Sequence, residues 1–220
     1  MKILFIGDVV GKSGRRALRR FLPELQDETE ADLTVVNAEN AAGGFGVTAG
    51  VLEEFLEQSE IDVLTSGNHI WDKREALDLI QDEPRLLRPH NYPEDTPGSG
   101  WIVATASNGV RVGVLNIMGT VFMHPTLDCP FSSANLAIEK KPSDVHAVLV
   151  DFHAEATSEK VAMGWYLDGR VSAVVGTHTH VPTADERVLP QGTAHISDVG
   201  MTGCYNSVIG METAGVLKRF

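Results

Sequence analysis

Eight side chains able to bind hard or borderline metal ions recur in this sequence one to three residues beyond an apolar, strand-like run. ILFIG is followed by Asp8, LTVVNA by Glu39 and Asn40, DVLTSG by Asn68 and His69, AVLVDF by His153, and SAVVGT by His178 and His180. This mixture of nitrogen and oxygen donors suits iron, manganese or zinc better than calcium, whose shell is all oxygen. Glu39 adds a particular capacity, because the two oxygens of a carboxylate can bridge two cations while each imidazole nitrogen binds one. Two metal ions are therefore the expectation. Asp8 offers a second anionic donor, and Asn68 a neutral one through its side-chain carbonyl.

On an extended segment, residues two apart project to the same side. The sequence thus predicts that His178 and His180 aim their imidazoles at one place. Adjacent residues project to opposite sides, which separates His69 from Asn68 and leaves it to face a substrate. There an imidazole can protonate a leaving oxygen or stabilise charge on phosphate. Plainer roles are open to each residue taken singly: a turn or helix cap for Asp8, an Asx turn for Asn40, a cap for Asn68, a surface-loop histidine for His69 and a hydrogen-bonded core histidine for His153. The same accident at five strand ends is the weaker explanation. His90, His124 and His146 lack such placement, whereas His195, in AHISDVG, falls near the expected crevice. The segment from Gly7 to Ser13 resembles a phosphate-binding P-loop, but three residues separate Gly7 from Gly11 where that loop needs four.

The elements that must position these residues follow from periodicity. Parallel strands bring their carboxyl ends to one edge, where open α/β sheets bind ligands. Apolar residues at helical spacing predict a helix over 14–28, crossed by Pro23, a second after Thr48 as N-cap, and a third over 71–81. Residues 84–100 are rich in Pro, Gly and Asn, and Asn108-Gly109 between two β runs predicts a hairpin that adds antiparallel strands. Ser132 or Ser133 should cap a helix reaching 141. A strand over 145–152, a helix over 158–167 and a strand over 171–176 restore the alternation, and short strands and turns follow Pro182. The fold class expected is α/β, a single domain over residues 1–220 with mixed sheets and helices outside.

Composition narrows the partners. With 43% hydrophobic and 22% charged residues the chain reads as an ordinary globular protein. A net charge of -12 provides no basic face for duplex nucleic acid. The first apolar run is broken by Asp8, so it reads as a strand rather than a signal peptide, and no run approaches membrane-spanning length. Cys129 and Cys204 alone build neither a disulfide framework nor a cysteine zinc site. A reducing cytoplasm is the compartment expected, and homo-oligomerisation is left open.

The blocks Gly7-Asp8, Glu39-Asn40, Gly67-Asn68-His69, His153 and Gly176-Thr177-His178-Thr179-His180 resemble those of the calcineurin-like metallophosphoesterases. That family carries a Gly-Asp, a bridging acid, a Gly-Asn-His, a later His and a Gly-His-x-His in this order. Val10 stands where the family usually has the His of an Asp-x-His, and Glu39 where it usually has Asp. Those departures, with VVNAENAAGGFG, TSGNHIWDK and SDVGMTG, are similar to the bacterial YmdB-like family. The resemblance implies a metallophosphoesterase-like layered α/β fold and two divalent or mixed-valence metal ions, iron first and manganese or zinc as alternatives. It implies hydrolysis of small phosphodiesters, 2′,3′-cyclic nucleotides foremost, by a water shared between the cations and attacking in line. By the same resemblance Asp8, Glu39 and His180 hold one metal with Asn40 nearby, while Glu39, Asn68, His153 and His178 hold the other, and His69 serves the departing ribose oxygen. No motif names the substrate-contacting residues, which are expected in the loops over 43–46 and 195–202. A phosphomonoesterase or nucleotidase on the same site, or a metal-stabilised regulatory protein with weak catalysis, are the alternatives. Family members usually continue past the position of Phe220, so the resemblance implies a domain without the family's last strands.

Overall fold

The computed structural model describes residues 1–57 and 61–220. Three parallel strands, β1 (Ile3–Ile6), β2 (Leu33–Asn37) and β3 (Val63–Thr65), form one sheet in that order, with α1 (Gly11–Thr29) and α2 (Ala49–Glu57) as the crossovers. The second sheet has six strands, in the order β4 (Trp101–Thr105), β5 (Arg111–Met118), β6 (Ala147–His153), β7 (Ala173–Thr177), β9 (Ala194–Ile196) and β8 (Arg187–Val188). Its outer pairs β4/β5 and β8/β9 are antiparallel and the pairs between them parallel. The helices α3 (Ala76–Asp82), α4 (Pro130–Glu139), α5 (Thr157–Leu167) and α6 (Thr213–Leu217) complete the chain.

Alternation along the strands sorts the side chains into layers. Ile3, Phe5, Leu33, Val35 and Val63 of the first sheet meet Val112, Val114, Leu149 and Val175 of the second in a core between the sheets. The intervening residues Leu4, Ile6, Val36 and Leu64 pack on the α1 and α2 side. Leu115, Ile117, Val148, Val150, Phe152 and Val174 pack against α4 and α5 on the other outer face. Each fully buried aliphatic side chain contributes about 1.5–3 kcal/mol over its exposed state, and three such layers give a helix–sheet–sheet–helix stack. The five ligand-bearing strand ends thus do not lie on one sheet: β1, β2 and β3 end in the first and β6 and β7 in the second. They share an edge because the two sheets lie face to face.

Several expected boundaries shift. The helix expected over 71–81 begins at Ala76, because residues 68–74 are used in turns beside the site. The helix near Ser132 begins at Pro130, whose missing N–H and fixed φ suit a first helical position; Cys129 precedes it, and neither Ser132 nor Ser133 caps it. Pro23 lies on the exposed side of α1, which continues through it while Leu18, Leu22 and Gln26 line the buried stripe. Thr48 caps α2 as expected, accepting the Leu52 N–H at 2.8 Å through its carbonyl and the Val51 N–H at 3.4 Å through Oγ1. The hairpin over Asn108-Gly109 forms, with Gly109 at φ 84°.

Candidate metal centre

At the carboxyl end of the stack the layer between the sheets turns from apolar to polar. The strand positions that hold Val35, Val63, Leu149 and Val175 continue, two residues on, into Asn37, Thr65, Asp151 and Thr177, all fully buried. Asp151 accepts hydrogen bonds from Asn37 Nδ2 at 3.0 Å, Thr65 Oγ1 at 2.5 Å and Thr177 Oγ1 at 2.7 Å. One carboxylate thereby ties β2, β3, β6 and β7 together beneath the site.

Above it, four donors converge. His153 Nε2 lies 3.0 Å from Glu39 Oε1, 3.0 Å from Asn68 Oδ1 and 3.0 Å from His178 Nδ1. A single ring nitrogen carries at most one proton and serves one linear hydrogen bond, so these lone pairs exceed what the protein can satisfy by itself. Glu39, His153 and His178 each offer a ligand atom within 4.8 Å of the others, the composition and spacing of a metal site. Glu39 Oε2 accepts the His69 backbone N–H at 3.2 Å. Asp8 is completely buried: Oδ2 accepts the His178 N–H at 3.3 Å, while Oδ1 has no hydrogen-bond partner among the described residues. Its backbone is pinned on both sides, with the Val9 N–H donating to Asn37 O and the Thr202 N–H to Asp8 O. Asn40 Oδ1 lies 3.2 Å from His180 Nε2, and Asn40 Nδ2 donates to Gly44 O at 3.0 Å.

The nitrogens facing away from this cluster are all matched to acceptors. His153 Nδ1 meets Thr177 Oγ1 at 2.9 Å, and the Thr177 hydroxyl passes its own proton to Asp151. His180 Nδ1 donates to Ile209 O at 3.0 Å, and His178 Nε2 lies 3.2 Å from Glu155 Oε2. An imidazole that donates outward keeps a lone pair inward, which is how ligating histidines are oriented. Charge points the same way. Burial lifts Asp8 to about 8, against the opposing pull of His153. Burial also pushes Glu39 up, but the neighbouring His153 outweighs it and holds the carboxyl at about 2. Burial presses His153 down, yet Glu39 and Asp8 raise it to about 9, whereas burial and the His153 charge bring His178 to about 3. Acidic groups crowded together in full burial, with Asp8 Oδ1 unpartnered among the described residues, fit a cation in their midst.

Local backbone explains the convergence. A Cβ on Gly67 would stand 2.2 Å from His153 and 2.3 Å from Glu39, so only glycine lets the β3 end pass. Asn68 and His69 lie in a turn, not on an extended segment, and part as expected: Asn68 to the cluster, His69 to a neighbouring cavity. His178 and His180 are not extended either. Their φ angles are 101° and 65°, so a left-handed turn, not strand alternation, directs His178 to Glu39 and His153, and His180 to Asn40.

The cavity of about 690 Å³ opens over Glu39, Asn40, His178 and His180. Gly43, Gly44 and Phe45 form one wall, and Ile209, Gly210 and Met211 line it too. The expected contribution of residues 195–202 is absent from its lining. His195 is a buried histidine whose Nε2 contacts Lys160 O at 3.2 Å. His69 lines the cavity with Nδ1 2.8 Å from Asp72 Oδ2 and its ring packed edge-on to Phe45 at 4.9 Å. Nothing in the sequence singles out Asp72 and Glu155. Their only signal is proximity, three residues after His69 and two after His153, and it acquires meaning only once the turns are built.

The sequence profile of the family described as YmdB-like protein matches residues 4–220. A 2′,3′-cyclic-nucleotide 2′-phosphodiesterase of Bacillus subtilis (strain 168) is 50% identical over 220 residues, spanning 100% of this chain and 82% of that protein. A crystal structure of a hypothetical protein from Thermus thermophilus matches with a TM-score of 0.93 at 45% identity, over 100% of this chain and 84% of the other. The crystal structure of a phosphatase from Mycoplasma pneumoniae matches with a TM-score of 0.90 at 36% identity, over 99% and 78%. A profile match across nearly the whole length, joined to half-identity with a relative that the chain covers for most of its length, shows that the chain belongs to the YmdB-like family.

Proposed function

We propose that this protein is a metal-dependent phosphodiesterase acting on small phosphodiesters, 2′,3′-cyclic nucleotides foremost. The observation that carries the reading is the convergence of Glu39, Asn68 and His178 on His153 Nε2, beside a cavity large enough for a nucleotide. The Bacillus relative, named for that activity, supports the substrate class. Glu39, Asn68, His153 and His178 would hold one metal ion; Asp8, Glu39 and His180, with Asn40, would hold a second. Iron is the first candidate, with manganese or zinc as alternatives, in keeping with the mixed donors. When bound, the pair supplies positive charge to the phosphoryl oxygens and acidifies a water.

The chain's own groups do the rest. The Asp72 carboxylate accepts from His69 Nδ1, and in its doubly protonated form His69 carries the second proton on Nε2 for the leaving group. As the oxygen of water bonds to phosphorus and the phosphorus–oxygen bond to the ribose breaks, His69 delivers that proton to the departing alkoxide. Phe45, Ile209 and Met211 give the cavity an apolar side for the nucleoside. Among the described residues no helix is long and apolar enough to cross a membrane; a cytoplasmic setting accords with the two free, exposed cysteines, Cys129 and Cys204.

Two variants test the division of labour. His69→Ala should retain the full metal content and lower turnover by about 10²–10⁴-fold, whereas Glu39→Gln should lose both metals. Elemental analysis beside initial rates reads both, and equal metal loss in the two variants contradicts the assignment.

A further inference from the structure

The turn carrying His178 and His180 holds two non-glycine residues in the left-handed region, at φ 101° and 65°. Such a backbone persists only where its surroundings impose it. Behind the turn runs the Ser197-Asp198-Val199-Gly200 stretch, which is not among the residues lining the cavity. Asp198 is 1% exposed, and its Oδ2 accepts three hydrogen bonds: from the Thr179 backbone N–H at 3.1 Å, from Thr179 Oγ1 at 2.8 Å and from Lys160 Nζ at 2.6 Å. Its Oδ1 accepts the Gly200 N–H at 2.8 Å. Thr179, the residue between the two histidines, is therefore held by backbone and side chain at once. Lys160 comes from α5 and is itself 2% exposed.

Asp198 is in turn fixed by its own backbone. Its N–H donates to Thr183 Oγ1 at 3.0 Å, and its carbonyl accepts the Thr183 N–H at 3.0 Å. The stretch lies flat on β7: the Val199 N–H donates to Gly176 O, and a Cβ on Gly176 would overlap the Ser197 carbonyl.

We propose that Asp198, with Lys160 as its buried counter-charge, is a positioning residue that locks the His178–His180 turn in the conformation that presents both imidazoles to metal. The proposal rests on the metal reading above. A carboxylate is needed because four donors converge on it, and a buried lysine without that partner would be an uncompensated charge. The pair touches neither substrate nor metal and acts through Thr179. A merely structural ion pair joining α5 to the sheet would stabilise the fold and leave the metals indifferent to its loss.

The test uses the full chain as the double variant Asp198→Asn/Lys160→Met, which removes both charges at similar volume. It is set beside Asp168→Asn, a buried carboxylate that holds the Gln191 and Thr193 N–H groups and does not line the cavity. In chelator-stripped protein, amide exchange at Thr179 should rise about tenfold or more in the double variant. Competition with a chromophoric chelator should show Mn²⁺ held about 10–100-fold more weakly, with kcat falling and KM nearly unchanged. Asp168→Asn should lower Tm while leaving Thr179 exchange and Mn²⁺ affinity as in the parent. Should the double variant fail to fold, Thr179→Ala, which removes only the hydroxyl tether, should weaken Mn²⁺ in the same direction. Unchanged Mn²⁺ affinity in the folded double variant, or in Thr179→Ala if it is the one that folds, overturns the proposal. So does equal weakening in Asp168→Asn. A parent protein that binds no Mn²⁺, Fe²⁺ or Zn²⁺ overturns the metal reading instead, and the exchange measurement still decides whether Asp198 holds the turn.

Discussion

Glu39 and His153 sit 3.0 Å apart in full burial, one carboxylate held at about 2 and one imidazole raised to about 9. Their linkage to stability has a definite sign in the metal-free protein. His153, raised from 6.5, contributes fully below that pH and loses its contribution as pH rises through 9. Asp8, raised from 3.8 to about 8, loses its contribution in the same direction. Glu39, lowered from 4.5, contributes above that value and loses its contribution only as pH falls through 2. The Tm of chelator-treated protein should therefore fall between pH 6.5 and 9. Saturating metal should flatten or reverse the slope, because protons leave His153 and Asp8 as the ion binds. A metal-free Tm that climbs over that range contradicts the charge arrangement. Donor identity is legible in the sequence at this scale because it is local chemistry. The partners Asp72 and Glu155 are not, since Asp72 meets His69 through a turn that no side-chain type announces, and Glu155, just past the end of β6, meets His178 from the end of β7.

At the scale of elements, apolar runs, the hairpin at Asn108-Gly109 and helices α1, α2 and α5 can be read from periodicity and punctuation. Which sheet each strand joins cannot. The two sheets are tied to each other by bonds from Asn37 and Thr65 to Asp151 that span 114 and 86 residues, and nothing in local alternation encodes a partner so distant. The His178–His180 turn departs from the extended expectation for a related reason. Left-handed backbone at a non-glycine residue is imposed by tertiary contacts, here those of Asp198, rather than by local preference. Gly67 joins element to site, and its replacement gives a sharp prediction. Gly67→Ala drives a methyl group against His153 and Glu39, costing about 1–3 kcal/mol by overpacking and lowering Tm by several degrees, about 2–4 °C per kcal/mol for a chain of this size. Metal content should drop with it. A variant with parental Tm and metal content would show that the strand end has more room than the structure gives it.

For the whole molecule, the stacked sheets explain why an acidic protein can handle an anionic substrate. With a net charge of -12, attraction for phosphate must come from a focused site rather than a basic surface, and the cluster at the shared sheet edge is where donors for cations are gathered. The deciding measurement is a rate comparison on protein stripped with a chelator and then reconstituted with Fe²⁺, Mn²⁺ or Zn²⁺, offered a 2′,3′-cyclic nucleotide and the corresponding 3′-monoester. Diester hydrolysis should vanish on stripping and return as about two metal ions bind per chain. Its kcat/KM should exceed that for the monoester by about tenfold or more. Diester turnover that survives metal removal, or strong monoester turnover with none on the diester, would contradict the assignment of this cleft.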